Sequence, residues 1–405
     1  MDSLISTPLT QGRKKYSATY AGLFLFAVGL RAITALAISL ASGVSLRNLS
    51  LFYDGHMYIL TARTLPALYS DLQVFFPNFP EDPRYITGWF PVYPGFIKLF
   101  SLFTGDLRLA ALIAAWLAGG IAVVLFYESA KDYLKNPLFA AILFSFLPTA
   151  WLVAGSLALA ESIFVCLLLA CILTLQRGKT GWAALFAALA VLTQKSGFLL
   201  LPILLFAAKP RRRALLPCTS AIAAAAALQL YLWWLFGDPL INVRVVTATF
   251  GDGEGIIGFP FAGFITWMLD SSRLFQGMFW QRKFVIVLEA TFYIGVLSWA
   301  LLRYSPHMTV FIGWLGIVLL FYASLSGVWS FYAFPRHMSM AGPAAIMLAC
   351  YLFPLGEGRW RWAAAGLLLS LTMLWTVLDA LAALDLCYRI WTPGYFIALI
   401  CAIKP

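Results

Sequence analysis

Phe52-Tyr53-Asp54-Gly55-His56-Met57-Tyr58 follows closely on the first long apolar run of the chain, and Asp54 and His56 are its only titratable groups besides the tyrosines. The chain carries 17 acids in 405 residues, and most of its length is too apolar to hold a charge cheaply. An acid at the mouth of a membrane span is therefore a functional candidate. The same residue could instead cap a short helix that starts here, with Gly55 allowing the turn. Residue chemistry alone leaves both readings open.

Composition sets the class. Hydrophobic residues make up 62% and charged residues 11%, with a mean hydropathy of +0.86, where a soluble domain carries about 25% charged residues. The sequence predicts an all-α, polytopic membrane protein forming one domain over 1–405. Its first apolar span runs from about Tyr16 to Ser42. Further runs fall near 107–127, 137–154, 160–175, 181–193, 197–208, 214–236, 284–302, 308–325, 338–354 and 362–380. That makes about eleven spans (10–13), several shorter than the ~20 residues a perpendicular helix needs. The runs 181–193 and 197–208 are broken, tilted, or together a re-entrant pair, and Tyr395–Ile403 is too short to assign. No cleavage site follows the first span, so it is expected to be retained. The six cysteines sit mostly in apolar runs without paired metal spacing and read as small core residues.

The net charge of +11 is explained by topology rather than by a nucleic-acid partner. With a cytoplasmic N-terminus, every second connection should be basic. Those connections carry Arg13-Lys14-Lys15, Lys131 and Lys135, Arg177 and Lys179, Lys209 with Arg211-Arg212-Arg213, Arg303, and Arg359 with Arg361. The opposite face holds two long connections, 43–106 and 237–283, both rich in aromatics, Pro and Gly. Loops longer than ~15 residues in a compact fold are usually functional, and the aromatic content predicts helices lying along the bilayer surface. The second loop contains Gly251-Asp252-Gly253-Glu254-Gly255 and an amphipathic piece over Phe264–Lys283.

Further polar groups approach this outer face. Glu161 opens one span, Lys195 lies between two short apolar runs, Arg336-His337 open another span, and Arg84 lies in the first loop. Each alone is consistent with snorkelling or helix-end capping. Together, two acids and several cations from distant parts of the chain suit an anionic lipid headgroup.

The stretch around Asp54 and Tyr58, followed by Gly88-Trp89-Phe90-Pro91-Val92-Tyr93-Pro94, resembles the GPI mannosyltransferase II family and its prokaryotic relatives. That family shows Trp-Asp-x-x-Tyr and then Phe-Phe-Pro-x-Tyr-Pro in the first outward loop. Ala160-Glu161-Ser162-Ile163-Phe164 is similar to the family's Ser-Glu-x-x-Phe, Lys195-Ser196-Gly197 to its Arg-Ser/Thr-x-Gly, and Pro335-Arg336-His337 to its late Arg-Tyr/Phe. Tyr53 and Lys195 stand where the family has Trp and Arg, and the loop between Tyr58 and Gly88 is longer than in compact members. The resemblance implies a GT-C fold, a polyprenyl-phosphate sugar as donor, and an acid in the first outward loop as catalytic base.

The residues suit that chemistry. An inverting transfer needs a base for the acceptor hydroxyl, here Asp54, with His56 orienting it. Fixed cations must meet the departing phosphate, and Arg336, His337, Lys195 and Arg84 are the candidates. Glu161 would position a hydroxyl or hold one of those cations, while Tyr58 and Tyr93 belong to the motifs expected to contact substrate. With no Asp-x-Asp pair in the first loop, neither a metal nor another cofactor is expected. The sequence reading thus favours a mannosyltransferase acting on a glycan, lipid or protein acceptor. Its rivals are a lipid-sugar transporter or flippase and another GT-C enzyme. Short loops and the lack of a recognisable retention signal favour a prokaryotic plasma membrane over the endoplasmic reticulum.

Overall fold

The structure, a computed structural model, describes residues 9–70, 72, 83–250, 260–261, 280–325, 334–353 and 361–390. Side chains within these ranges are described except at 9–16, 83, 246–250, 280–285, 361, 379–380 and 382–390. Gly251–Gly255, the piece from Phe264 to residue 279, Arg359 and Tyr395–Ile403 lie outside the described residues. Those described are all-helical, with no strand.

In chain order the helices are α1 (Leu9–Ser42), α2 (Gly55–Arg63), α3 (Val92–Thr104), α4 (Leu107–Ala130), α5 (Pro137–Phe146) and α6 (Thr149–Ser156). They continue with α7 (Glu161–Gln176), α8 (Thr180–Val191), α9 (Leu200–Ala207), α10 (Leu215–Phe236) and α11 (Ile241–Phe250). The last are α12 (Trp280–Leu302), α13 (Thr309–Ala323), α14 (Phe334–Met338), α15 (Gly342–Leu352) and α16 (Arg361–Ile390). Four segments are long and apolar enough to cross a membrane: Ser17–Ser42, Leu107–Ala130, Arg211–Phe236 and Pro306–Ala323. A fifth results if α5 and α6, bent by 64° at their junction, are taken together. The molecule therefore has the build of a membrane protein, with shorter apolar helices packed among the long ones.

The α5–α6 break has a local cause. Pro148 lacks an N–H for the helical ladder, and the residue before a proline is pushed to extended backbone, as at Leu147 (φ −119°, ψ 144°). The new helix start is capped from another chain segment, Glu289 Oε1 accepting from the Ala150 N–H at 3.2 Å. What reads as one apolar run over 137–154 is two helices.

Packing follows small residues. In a bilayer, lipid is as apolar as Leu, so helices associate where small side chains let backbones approach. Ala183, Ala187 and Ala190 make a buried stripe on α8, which packs against α7 and α10. Ala111, Ala115, Ala118 and Ala122 do the same for α4, which packs against α1 and α7. The opposite faces of α8 and α10 expose Trp182, Leu185, Trp233 and Trp234, as lipid-facing surfaces do.

The bundle has two chemically distinct ends. At one, Glu128 at the end of α4 pairs with Lys131 (2.6 Å) and with Arg177, and accepts from the Tyr20 hydroxyl (2.5 Å). Helix α7 runs from this basic end back to Glu161. Helix α2 in the first loop lies toward that far end, with Gly55 through Ala62 buried. Helix α3 buries Tyr93, Pro94 and Ile97 and exposes Phe96, Leu99, Leu102 and Phe103. It stops at Gly105, which takes the left-handed conformation (φ 68°) that closes helices.

Gly55 is needed for close approach. A Cβ there would lie 2.0 Å from the Ser50 carbonyl oxygen and 3.2 Å from that of Ala158, both backbone atoms. Gly55→Ala is expected to destabilise the protein by about 1–3 kcal/mol, the usual cost of overpacking. Gly22→Ala, with nothing within 4 Å of the new methyl, should be neutral. Thermal melts of the two variants in lipid nanodiscs check the contrast, and equal melting temperatures would contradict it.

Candidate functional site

Three of the residues singled out from sequence, Asp54, Glu161 and Arg336, bond to one another, and Lys195 is near enough to Asp54 to feel its charge. Asp54 precedes α2, Glu161 opens α7, Lys195 opens a 3-10 turn (Lys195–Leu199), and Arg336 lies on α14. Helix α14 packs against α6, α12 and α13, and this delivers Arg336 to the two acids. The turn from α6 to α7 is itself buried at Leu157, Ala158, Leu159 and Ala160. Glu161 is consequently 1% exposed, sunk beneath the site rather than standing at its mouth.

Arg336 is the hinge of the geometry. Its Nη2 donates to Asp54 Oδ2 at 2.6 Å and its Nε to Glu161 Oε1 at 2.5 Å. Both donors lie on one edge of the guanidinium, so the planar fork joins two carboxylates. The Arg336 side chain is 13% exposed and that of Asp54 is 30% exposed, while Glu161 Oε2 is buried without a hydrogen bond.

The structure shows that the Asp54 side chain does not cap the helix: Asp54 occupies the N-cap position of α2, yet its side chain makes no capping hydrogen bond. The same chain shows what a capping aspartate does: Asp106 accepts from the Arg108 and Leu109 backbone N–H groups at the start of α4. Asp54 has φ −83° and ψ 1°, the bridge region where active-site residues often sit. Tyr53 before it is held at φ 53°, a left-handed conformation that costs a bulky residue of order 1–3 kcal/mol.

The titration of these groups follows from their neighbours. Burial raises the Asp54 carboxyl, but the charge and hydrogen bond of Arg336 more than offset it and hold it below the usual carboxylate range. Burial opposes the charge on Arg336, and the two carboxylates reverse this, raising it well above the normal value. Lys195 is drawn down to about 8 by burial, against the attraction of Asp54. The residue itself is solvent-accessible. Its ammonium sits 5.9 Å from the Trp89 ring centroid and has no hydrogen bond among the described residues. Burial, then Arg336, push His337 down to about 3, and burial lowers His56.

The other expected residues divide. His56 lies two residues beyond Asp54, with Nδ1 against the Leu51 carbonyl at 3.1 Å. Tyr58 and Tyr93 are buried in edge contact, centroids 5.0 Å apart, and the Tyr93 hydroxyl donates to the Ala111 carbonyl. Both tyrosines therefore form the packed wall behind the cluster. Arg84 is exposed on the 3-10 turn Pro83–Gly88. Two residues were not anticipated. Tyr322 stacks on His337 (4.8 Å, 5° between planes) and hydrogen-bonds with Ser196, and Tyr53 presents its ring 6.0 Å from the Arg336 guanidinium. Tyr322 lies near the end of an apolar run, where a tyrosine is ordinary, and only the fold marks it. Among the described residues no group of three or more His, Cys, Asp or Glu is placed to hold a metal ion, and Asp54 and Glu161 both receive Arg336. In comparisons with known proteins, no family model and no curated sequence matches the chain.

Arg336→Ala is expected to cost about 3–5 kcal/mol at pH 7, because it leaves buried carboxylates unpaired. The pH dependence should change sign. In the native protein the folded-state value of Asp54 is depressed, so its contribution is complete above about pH 4 and is lost as pH falls through the folded value. Without Arg336, burial raises the carboxyl, and protonation should stabilise the variant as pH falls from 7 to 5. Melting curves across that range check this; parallel pH profiles for both proteins would refute it.

Proposed function

We propose that the chain is a membrane glycosyltransferase of GT-C type, transferring a sugar, mannose by the motif resemblance, from a polyprenyl-phosphate donor. The observation that carries this reading is the charge cluster: a partly exposed carboxylate held at one oxygen by Arg336, with Lys195 near enough to feel its charge. Asp54 takes the proton of the acceptor hydroxyl as the hydroxyl oxygen bonds to the anomeric carbon. The bond from that carbon to the phosphate oxygen breaks, and the polyprenyl phosphate departs with the electron pair.

The geometry supports a division of roles among the cations. Arg336 donates to Asp54 and Glu161, which suits it to position the base. Lys195, solvent-accessible and free of hydrogen bonds among the described residues, is the group suited to meet the phosphate charge as it develops. Glu161 then acts through Arg336, and His56 and His337 line the site in their neutral forms. The acceptor is a glycan, lipid or protein at the outer face. The shorter apolar helices beside the long ones support the fuller count of about eleven spans. The exposed apolar face of α3 supports its lying against lipid at the membrane surface. A prokaryotic plasma membrane is the location this reading favours.

The test is transfer of radiolabelled sugar from polyprenyl phosphate by purified protein. Asp54→Asn keeps size and hydrogen bonding but cannot accept a proton, and is expected to lose 10²-fold or more in turnover, on the order of general-base catalysis, while staying folded. Near-normal transfer by well-folded Asp54→Asn would end the assignment.

Donor use should also decline as pH rises through about 8, where Lys195 loses its proton. Lys195→Arg, which stays charged, should move that limb to higher pH. An unchanged alkaline limb in this variant would remove Lys195 from the role.

A further inference from the structure

Arg31 lies within the first long apolar segment, Ser17–Ser42, and is 0% exposed. Its Nη1 donates to the Ala27 carbonyl at 2.9 Å, and its guanidinium carbon lies 4.9 Å from the Trp151 ring centroid. The fold makes room for it with two glycines. A Cβ at Gly119 would come within 2.3 Å of Nε, and one at Gly155 within 2.5 Å. Gly155 is also the neighbour of Ser162, whose Oγ would lie 3.2 Å from the same Cβ.

The bonding account here does not close. Arg31 Nε and Nη2, Trp151 Nε1 and Ser162 Oγ are all buried without a hydrogen-bond partner. Arg31 has no carboxylate partner among the described residues. Nε and Nη2 form the edge with which arginine grips an anion in two parallel bonds, the edge that Arg336 fills with its two carboxylates. Arginine and tryptophan side chains only donate, so the missing component is an acceptor. A water molecule would accept two bonds and leave the charge uncompensated. An uncompensated charge in the bundle interior costs several kcal/mol, and an anion relieves it.

We propose that a small inorganic anion of halide size binds at the Nε–Nη2 edge of Arg31, between α1, α6 and the start of α7. Gly119 and Gly155 both pack close to Nε, which leaves little room there and favours a small ion over larger oxyanions. Ser162 follows Glu161 directly, so the ion also fixes the helix start that carries the second site carboxylate.

The full chain in lipid nanodiscs is melted in sodium chloride and in sodium gluconate at equal ionic strength and pH, and chloride is then titrated. Chloride is expected to raise the melting temperature saturably, as linkage requires of a ligand bound only by the folded state, and bromide should replace it. Arg31→Met, which retains the apolar stem, should lose the response, and Ser162→Ala should shift the chloride midpoint several-fold upward. Identical melting of the native protein in chloride and gluconate would overturn the proposal and leave water in the site. A chloride response that persists in Arg31→Met would overturn it equally. Should Arg31→Met fail to fold, the native salt comparison and the Ser162→Ala midpoint decide; an unshifted midpoint counts against the site.

Discussion

A guanidinium enclosed in an apolar bundle is stable only where its charge and donors are answered, and Arg336 is answered by two carboxylates drawn from 282 and 175 residues away in sequence. Much of the described architecture around the site serves that meeting. The break at Pro148 sets α6 apart from α5, the buried turn at 157–160 lowers Glu161 into the interior, and α14 rests on α6. Gly55 lets the backbone at 50–55 close against the Ala158 carbonyl, and this seats Asp54 above Glu161. An ion cluster of this kind contributes little net stability against a well-packed apolar alternative, and breaking it is costly. It therefore acts as a register pin: helices that miss their positions leave a buried charge exposed to apolar surroundings.

Two aspartates in this chain occupy helix N-cap positions, and their comparison shows how the fold separates structure from chemistry. Asp106 has extended backbone and accepts from two N–H groups of its helix. Asp54 has bridge-region backbone, follows a tyrosine in the left-handed region, and turns its carboxylate toward Arg336. The second arrangement costs backbone strain and forgoes a capping bond, a loss of about 1 kcal/mol at a typical helix. Local stability alone does not favour it. An outlay with no local return belongs at a position whose side chain is needed elsewhere, and here the side chain is partly exposed.

The helical class and the long spans were legible in the sequence because apolar length is a local property. Segments Ser17–Ser42, Leu107–Ala130, Arg211–Phe236 and Pro306–Ala323 match runs visible in composition. The run over 137–154 was legible as an apolar run but its 64° bend was not, because a count of apolar residues ignores what Pro148 does to the ladder. Asp54, Glu161, Lys195 and Arg336 could be selected as charges at the ends of apolar runs, and the fold brings them together. Their partners could not be selected. Whether Arg336 meets a carboxylate or a ligand depends on the angle at which α14 approaches α6, and no spacing along the chain records that angle. Arg31 is the sharper case, since an arginine inside an apolar run is anomalous in sequence, while the glycines that admit it stand 88 and 124 positions further along.

The commitment of Arg336 has a consequence for how an anionic donor could be held. Two carboxylates facing one guanidinium present a phosphate with repulsion rather than attraction. Lys195 would change that balance, its ammonium lying 5.9 Å from the Trp89 ring centroid and making no hydrogen bond among the described residues. Desolvation keeps the ammonium close to losing its proton, and a phosphate nearby would favour the charged form by the same Coulomb attraction that Asp54 exerts weakly. Donor binding and Lys195 protonation would then reinforce one another. Arg336 meanwhile keeps Asp54 ionised without occupying its second oxygen. On the proposed reading, the cluster would thereby separate its positive groups by task, one fixing the acid and one meeting the ligand.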